Sequence, residues 1–493
     1  MRGFILAALG TALALVNGGP VSAQSGAEGG AQSMTVPGTP RPAGTYSLEG
    51  QGQYLGGVTA GQATSEELAL SLEDAIQRGL KNNLGALLSD QGRRHSQATR
   101  MRSMADLLPN VTVRSGETDM QENLAALGFS GFPGIPQILG PFAVFDLRGY
   151  VTQRVLDLSA IRSTQADRQG VLATEQSYQN SRDMVALVAG GLYLQTVAGE
   201  SRVESARAQV KTAQAVYDQA LDYKQSGLIP AIDVLRAQVQ LEAERQRLIA
   251  AENDFEKMKL SLAQAIGLPL TQRYRLTDSL SSESLPPFTV EQAIEKSYEN
   301  RSDYRGAQAL VKAAEFARRA AVAERYPSVG ASFDYGLLGQ SVVQNHGTFT
   351  AAIGVTIPVF EGGRIDGKVL EADATLKQRT AERDALRSRI EFEVRSVFLD
   401  LKSSLDQVNL ARNALKLAET QVAQSQDRFA AGVANNLEVV QAQQALAVAS
   451  DNYISSLFAY NLAKGTLARA AGAAEKLFRV FVLGGAGAAT LER

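Results

Sequence analysis

Two carboxylates occupy the same place in two copies of one pattern. Asp233 lies in YKQSGLIPAIDVLRAQ and Glu438 in RFAAGVANNLEVVQAQ; Gly227, Ala237 and Gln238 match Gly432, Ala442 and Gln443 at the same offset. Each acid falls just inside a helix start, where the helix dipole favours negative charge by roughly 0.3–1 kcal/mol whatever the protein does. The alternative is electrostatic work: if copies of the chain gather about an axis, these acids converge and attract cations. Each glycine ends the preceding helix, where a cap with positive φ is expected, so each pattern is a tight helix reversal.

Little else in the chain could do chemistry. Without cysteine there is no thiol nucleophile, disulfide or thiolate metal site. Of the two histidines, His95 sits in a charged helical stretch (Gly92-Arg93-Arg94-His95) and His346 in a polar hairpin loop. Neither has a carboxylate or a second histidine at ligand spacing, so no metal is expected. There is no Gly-x-Ser-x-Gly, no phosphate loop and no supported carboxylate pair, so neither an enzyme nor a cofactor is expected. Lys+Arg 49 against Asp+Glu 51 leave no basic field for nucleic acid.

The elements that would position the two acids are themselves repeated. SLEDAIQRGLKNN (71–83) returns as TVEQAIEKSYENR (289–301), and LPNVTV, from Leu108, returns as YPSVGA, from Tyr326. The order in each half is helix, strands, long helix, tip, returning helix, a duplication that implies pseudo-symmetry.

After Pro327 the chain alternates. Val329, Ala331, Phe333, Tyr335 and Leu337 share one face, with Gly330, Ser332, Asp334 and Gly336 on the other. From Thr348, the residues Phe349, Ala351, Ile353, Val355, Ile357 and Val359 again make an apolar face. Segments of about ten residues with one apolar and one small or polar face read as transmembrane barrel strands, although a soluble half-buried sheet alternates too. The first half carries a looser version around Val111, Val113, Phe145, Leu147 and Val151. Four strands cannot close a barrel: the smallest has about eight, so several copies must pool their strands. Aromatics such as Phe142, Phe145, Tyr150, Tyr326, Phe333, Tyr335 and Phe360 suit interfacial girdles, or else core packing.

The runs 161–226 and 365–431 lack proline and are rich in Ala, Gln, Glu, Arg and Val. At about 1.5 Å per residue, each predicts a helix roughly 100 Å long. In the second, Leu386, Ile390, Val394, Val397, Leu401, Leu405, Val408, Ala411, Leu415, Ala418 and Val422 step by three or four, a coiled-coil seam. Shorter helices are expected over 72–108, 231–267, 289–326 and 437–471, so that two laid end to end match one long one.

Arg2, an apolar run from Phe4 to Val16 and Val21-Ser22-Ala23 make residues 1–23 a secretory signal peptide. No cysteine follows it to carry a lipid. Residues 24–67 read as a flexible N-terminal segment, 68–270 as a first repeat with strands near 109–117 and 143–156, and 271–287 as a linker. Residues 288–472 read as a second repeat with strands near 328–338 and 348–359, and 473–493 as a C-terminal tail, disordered from Gly484.

Taken together, these residues resemble the TolC-like outer-membrane efflux channel family over about residues 68–472. The resemblance rests on the two tip motifs, on the proline-led strand starts LLPNVTV and RYPSVGASFDYG, and on NRSDYRGAQALVKAAEFARRAA (300–321). It implies a mainly α protein with a membrane β part: a homotrimer with a 12-strand β-barrel, set in outer-membrane lipid of a Gram-negative bacterium, on an α-helical barrel in the periplasm. It implies partners at the tips, a periplasmic adaptor protein and an inner-membrane transporter. By position it implies a periplasmic entrance constriction at Asp233, Glu438 and Gln441, with Asn435 and Asn436 nearby. Docking would fall on Ser226, Gly227, Leu228, Ala431, Gly432 and Val433. The chain departs from the family in having Glu438 where aspartate is usual, Phe429 where tyrosine is common, and an apolar stretch, NLAALGFSGFPGIPQILGPF, between its first strands.

The function implied is a passive duct carrying small toxic compounds outward. The alternatives are the exit channel of type I protein secretion and, from another class, a periplasmic coiled-coil adaptor or scaffold without a pore. The alternating segments separate the last of these, since a scaffold has no need of strands with an apolar outer face.

Overall fold

A computed structural model describes residues 52–483, apart from 127, 129–133, 135, 284 and 286–288. The expected signal peptide (1–23), the segment up to residue 51 and the tail from Gly484 lie outside the described residues.

The two halves repeat one order of elements. The first comprises β1 (Leu68–Leu70), α1 (Leu72–Asn82), α2 (Leu84–Ala105), β2 (Asn110–Asn123), β3 (Ile138–Leu156), α3 (Leu158–Gln225) and α4 (Ala231–Ile266). The second comprises β4 (Tyr274–Leu276), α5 (Val290–Asn300), α6 (Ser302–Ala323), β5 (Ser328–Gly339), β6 (Asn345–Thr356), α7 (Arg364–Ala430) and α8 (Asn436–Ala470), followed by α9 (Ala474–Leu483). Capping boxes start α1 and α5: Ser71 exchanges bonds with Asp74, and Thr289 with Gln292. With 68 and 67 residues, α3 and α7 are each roughly 100 Å long. The α7 seam is real, with Ile390, Val394, Val397, Val408, Ala418 and Val422 buried.

The single helices expected over 72–108 and 289–326 are each broken. Asn83 and Arg301 stand at the breaks in extended conformation, with ψ of 134° and 120°. Both are interior, 1% and 2% exposed. Asn83 Nδ2 donates to the carbonyls of Tyr54 and Ala265, and its Oδ1 accepts from Gly85 N. Arg301 donates to Asp303 and Glu393. These tertiary bonds replace the helical ones that each break gives up, and a periodicity argument cannot register them. Burial opposes ionisation of Asp303, yet its bonds to Arg301 leave the carboxyl below the usual range.

Four strands form one antiparallel sheet in the order β2-β3-β5-β6. The β2–β3 ladder continues past a register shift at Met120/Glu122 to Asn123↔Ile138, so both strands are longer than their alternation suggested. In contrast, β6 ends at Thr356 instead of near 359, because Pro358 has no N–H to give a ladder. One face is apolar and exposed through Val111, Val113, Phe333, Tyr335, Phe349, Ile353 and Val355. On the other, Arg148 bonds Asp334, Asp146 and Thr348, clasping β3, β5 and β6.

Two segments expected to be loose are attached to the helices. Within the segment read as flexible, Val58 N donates to Asn82 O, Ala60 N to Gly267 O, and Thr64 N to Gln272 Oε1. Tyr54 is buried against Gly85, where a Cβ would come within 2.3 Å of its ring. Part of the region read as a tail is α9, whose Phe478 fits between α3 and α8. Cβ atoms on Gly190 and Gly465 would lie 2.4 and 2.3 Å from that ring. Asp183 Oδ1 accepts Glu475 N at the start of α9, and Glu475 pairs with Arg182 at 2.6 Å. The linker is tied down as well: β4 pairs in parallel with β1, and Asp278 accepts from Leu72 N and from the Tyr193 hydroxyl.

Lys464 of α8 is buried, 1% exposed, with its ammonium 4.5 Å from the Tyr460 ring centre. Burial pushes its pKa down to about 8, against a partial opposing pull from Glu283. The unfolded chain therefore binds the extra proton between about pH 8 and the ordinary value of 10.5, so stability rises with pH across that window. We expect the thermal midpoint of the helical signal to climb over this range, and Lys464→Met to remove the climb while raising the midpoint at pH 7. A midpoint with the same pH profile in both proteins would show that Lys464 is not held in this way.

Candidate functional site: the paired helix tips

The tips form where α3 turns into α4 and α7 into α8, and the two turns are built alike. Gly227 and Gly432 have φ of +73° and +72°, a conformation side chains strain to adopt. Leu228 N donates to Tyr223 O at 2.8 Å, and Val433 N to Arg428 O at 3.0 Å. Gly227 N donates to Lys224 O and Gly432 N to Phe429 O, both at 3.0 Å. Both sets are the paired bonds of a Schellman cap, which satisfy the last carbonyls of a helix. Ser226 and Ala431 are the C-caps. The outer surface is apolar: Leu228 and Val433 are exposed, as are Ile232 and Leu437 one turn on.

The two tips meet. Phe429 is buried among Val216, Ala220, Val234, Ala237 and Val439, with Tyr217, Leu221, Tyr223 and Ile229 partly buried around it. The Tyr223 and Phe429 rings lie 5.6 Å apart, and the Tyr223 hydroxyl donates to Ala430 O at 3.3 Å. The absent hydroxyl on Phe429 thus matches an apolar position.

The acids are not left as a matched pair of free charges. Asp233 is 8% exposed, pairs with Arg236 at 3.1 Å, and its carbonyl accepts from Asn436 Nδ2 at 2.8 Å. Glu438 is half-exposed and pairs with Arg428 at 3.2 Å, tying the end of α7 to the start of α8. Its backbone N–H is capped by Asn435 Oδ1 at 3.3 Å. Asn435 and Gln441 are exposed, whereas Asn436 is wholly buried. Asp233 and Asn436 are therefore brought together inside the tip, and Glu438 and Gln441 remain at its surface.

Sequence reasoning overlooked the arginine partners. The Asp233–Arg236 spacing of three on one helix was a readable signal. Arg428 was not, because its distance to Glu438 depends on the turn. A polar seam also runs along α4 and α8 above the tips. Asn436 Oδ1, both amide atoms of Gln443 and Glu244 Oε2 are buried there without a hydrogen-bond partner. Gln240 donates to Glu244 and accepts from Gln444. Among the described residues, no cluster of three or more His, Cys, Asp or Glu could hold a metal ion.

Comparison with known proteins agrees with this architecture. Residues 293–473 match the family model for outer membrane efflux proteins. The chain is 24% identical over 275 residues to the pyoverdine export outer membrane protein OpmQ of Pseudomonas putida, a match covering 52% of this chain and 55% of that protein. The alignment thus spans little more than half of that relative. The CmeC outer membrane channel of Campylobacter jejuni superposes with a TM-score of 0.72 at 15% identity, covering 89% of this chain and 94% of CmeC. The outer membrane protein VceC of Vibrio cholerae gives 0.70 at 16% identity, covering 82% and 97%. The chain thus shares the fold of these solved outer-membrane proteins, and its second half carries a segment that matches the outer membrane efflux protein family.

Because Asp233 is buried and Glu438 is not, a channel reading of this fold predicts that only Glu438→Ala lowers cation-over-anion preference, read as reversal potential in a planar bilayer under a KCl gradient. Asp233→Ala is expected to leave it near wild type and to loosen the tip instead. Equal selectivity in wild type and Glu438→Ala retires any electrostatic role for that acid.

Proposed function

We propose that three copies of the chain close into a 12-strand β-barrel in the Gram-negative outer membrane, continued by an α-helical barrel that crosses the periplasm. The observation that carries this reading is a four-stranded sheet with a bare apolar face and edges that no strand among the described residues pairs, attached to helices roughly 100 Å long. An eight-strand closure from two copies would be filled by its own side chains; three copies leave a lumen. Among the described residues, no helix is long and apolar enough to cross a membrane, so the sheet is the part suited to lipid. Residues 1–23 direct export, and 68–270 and 288–472 are the two repeats of the duct.

The duct does no covalent chemistry. Energy comes from an inner-membrane transporter, handed on through a periplasmic adaptor that docks on the apolar tips around Ser226–Leu228 and Ala431–Val433. Asp233, Asn435, Asn436, Glu438 and Gln441 line or brace the periplasmic entrance. The cargo is small toxic or surplus compounds, a reading supported by the export role in the name of the Pseudomonas putida relative.

The absence of cysteine makes the test clean. Ser226→Cys, carrying a photo-crosslinker in intact cells, is expected to trap a periplasmic adaptor encoded with an efflux pump. Capture of an adaptor belonging to an ATP-driven protein exporter would redirect the account to type I secretion. Recovery of the uncrosslinked protein in a soluble fraction would defeat it.

A further inference from the structure

Strand register places two arginines directly opposite one another on the polar face of the sheet, Arg114 on β2 and Arg148 on β3. Like charges so placed are destabilising unless something compensates them. Arg148 is compensated: its guanidinium bonds Asp334 of β5, Asp146 of its own strand at 3.3 Å and Thr348 of β6 at 2.9 Å. That clasp occupies the two carboxylates nearest in register on this face, since Asp146 and Asp334 lie opposite Gly116 and Tyr150. Arg114 is treated differently. Its guanidinium carbon lies 5.2 Å from the centre of the Tyr150 ring, and it has no carboxylate partner among the described residues. Stacking holds the guanidinium in place, yet leaves its N–H fork unused.

We infer that Arg114, propped on Tyr150, forms an anion-recognition band in the barrel wall that contacts carboxylate or phosphate groups on passing solutes. This rests on the reading of the chain as a barrel-forming duct, in which the face opposite Val111, Val113, Phe333 and Phe349 lines the lumen. Arg148 pairs with Gly336, three residues before the end of β5 at Gly339, whereas the β2–β3 ladder runs on past Arg114 to Asn123↔Ile138, so the band lies within the wall, below the longer hairpin. Three copies place three such guanidinia around one level of the lumen. The four charges at this level cancel within each chain (Arg114 and Arg148 against Asp146 and Asp334), so the band carries no net charge. What it offers is local: a fixed, planar, bidentate donor aimed at oxyanions.

The test uses the full-length protein in planar bilayers, with inositol hexakisphosphate or citrate added at the hairpin side and uncharged myo-inositol as control. Both anions are expected to block the wild-type current, and myo-inositol is not. Arg114→Gln should weaken the block at least about tenfold, the range expected for loss of a hydrogen bond between charged groups. Arg114→Lys, which keeps the charge but loses the fork, should fall between. Should Arg114→Gln fail to insert, the wild-type and Arg114→Lys comparison still decides, because identical block in those two denies the fork a role. A conducting channel that neither anion blocks, or one that Arg114→Gln leaves equally blocked, overturns the inference and leaves the duct intact. An inserted protein that passes no current overturns the duct and the inference with it.

Discussion

Between lipid chains no water is available to a bare peptide group, and each unpaired N–H or C=O there costs several kcal/mol. β2 and β6 are the outer strands of the sheet, and each has one edge without a strand partner among the described residues. On the proposed reading, the apolar face beside those edges is a lipid-facing wall. On that reading the edges fix much of the rest: the chain is a segment of a barrel, and its edges must be met by copies of itself. The pseudo-repeat then follows as economy of construction. Each half supplies one hairpin, one long helix and one returning helix, so one chain contributes two similar segments to a single wall.

Joining a sheet to helices roughly 100 Å long requires a girdle that keeps the segments in register. That girdle is where burial is deepest. Tyr193, Leu70, Leu72, Leu262 and Ile266 are wholly enclosed, and α9 presses Phe478 between two glycines. Arg301 joins α5 and α6 to α7 through Asp303 and Glu393, and Arg469 of α8 reaches Asp303 and Asn180. Away from the girdle, the two tips are held together mainly by Phe429 and its neighbours and by two hydrogen bonds, from the Tyr223 hydroxyl to Ala430 O and from Asn436 Nδ2 to Asp233 O. The partly unsatisfied seam at Gln443 and Glu244 adds little to hold α4 against α8. On the proposed reading, a firm middle with a lightly held end suits a duct that opens at its tips.

The period-two alternation after Pro327 was legible because each face has uniform chemistry. The long helices were legible because nothing interrupts them between their first and last turns. Glycine at 227 and 432 announced the reversals, since few other residues accept that φ. What the sequence hid depends on distant contacts. Asn83 and Arg301 break helices through bonds to segments far along the chain. Residues 52–67 and 474–483 pattern like leader and tail, yet they are held by glycine sockets at 85, 190 and 465 that only a packed structure reveals. At the site, the acids could be read as acids and Arg236 lies one helical turn from Asp233, but Arg428 reaches Glu438 across a turn whose geometry the motif does not specify.

Closure of the sheet between copies is the central claim, and the absence of native cysteine allows a direct measurement. Thr112→Cys on β2 combined with Thr350→Cys on β6, together with neighbouring register pairs, would be oxidised in membranes and resolved by denaturing electrophoresis. Closure by three copies predicts that at least one register gives a ladder ending at a covalent trimer, and that either cysteine alone gives none. A ladder that stops at two copies or runs beyond three, or monomer alone at every register, would contradict it.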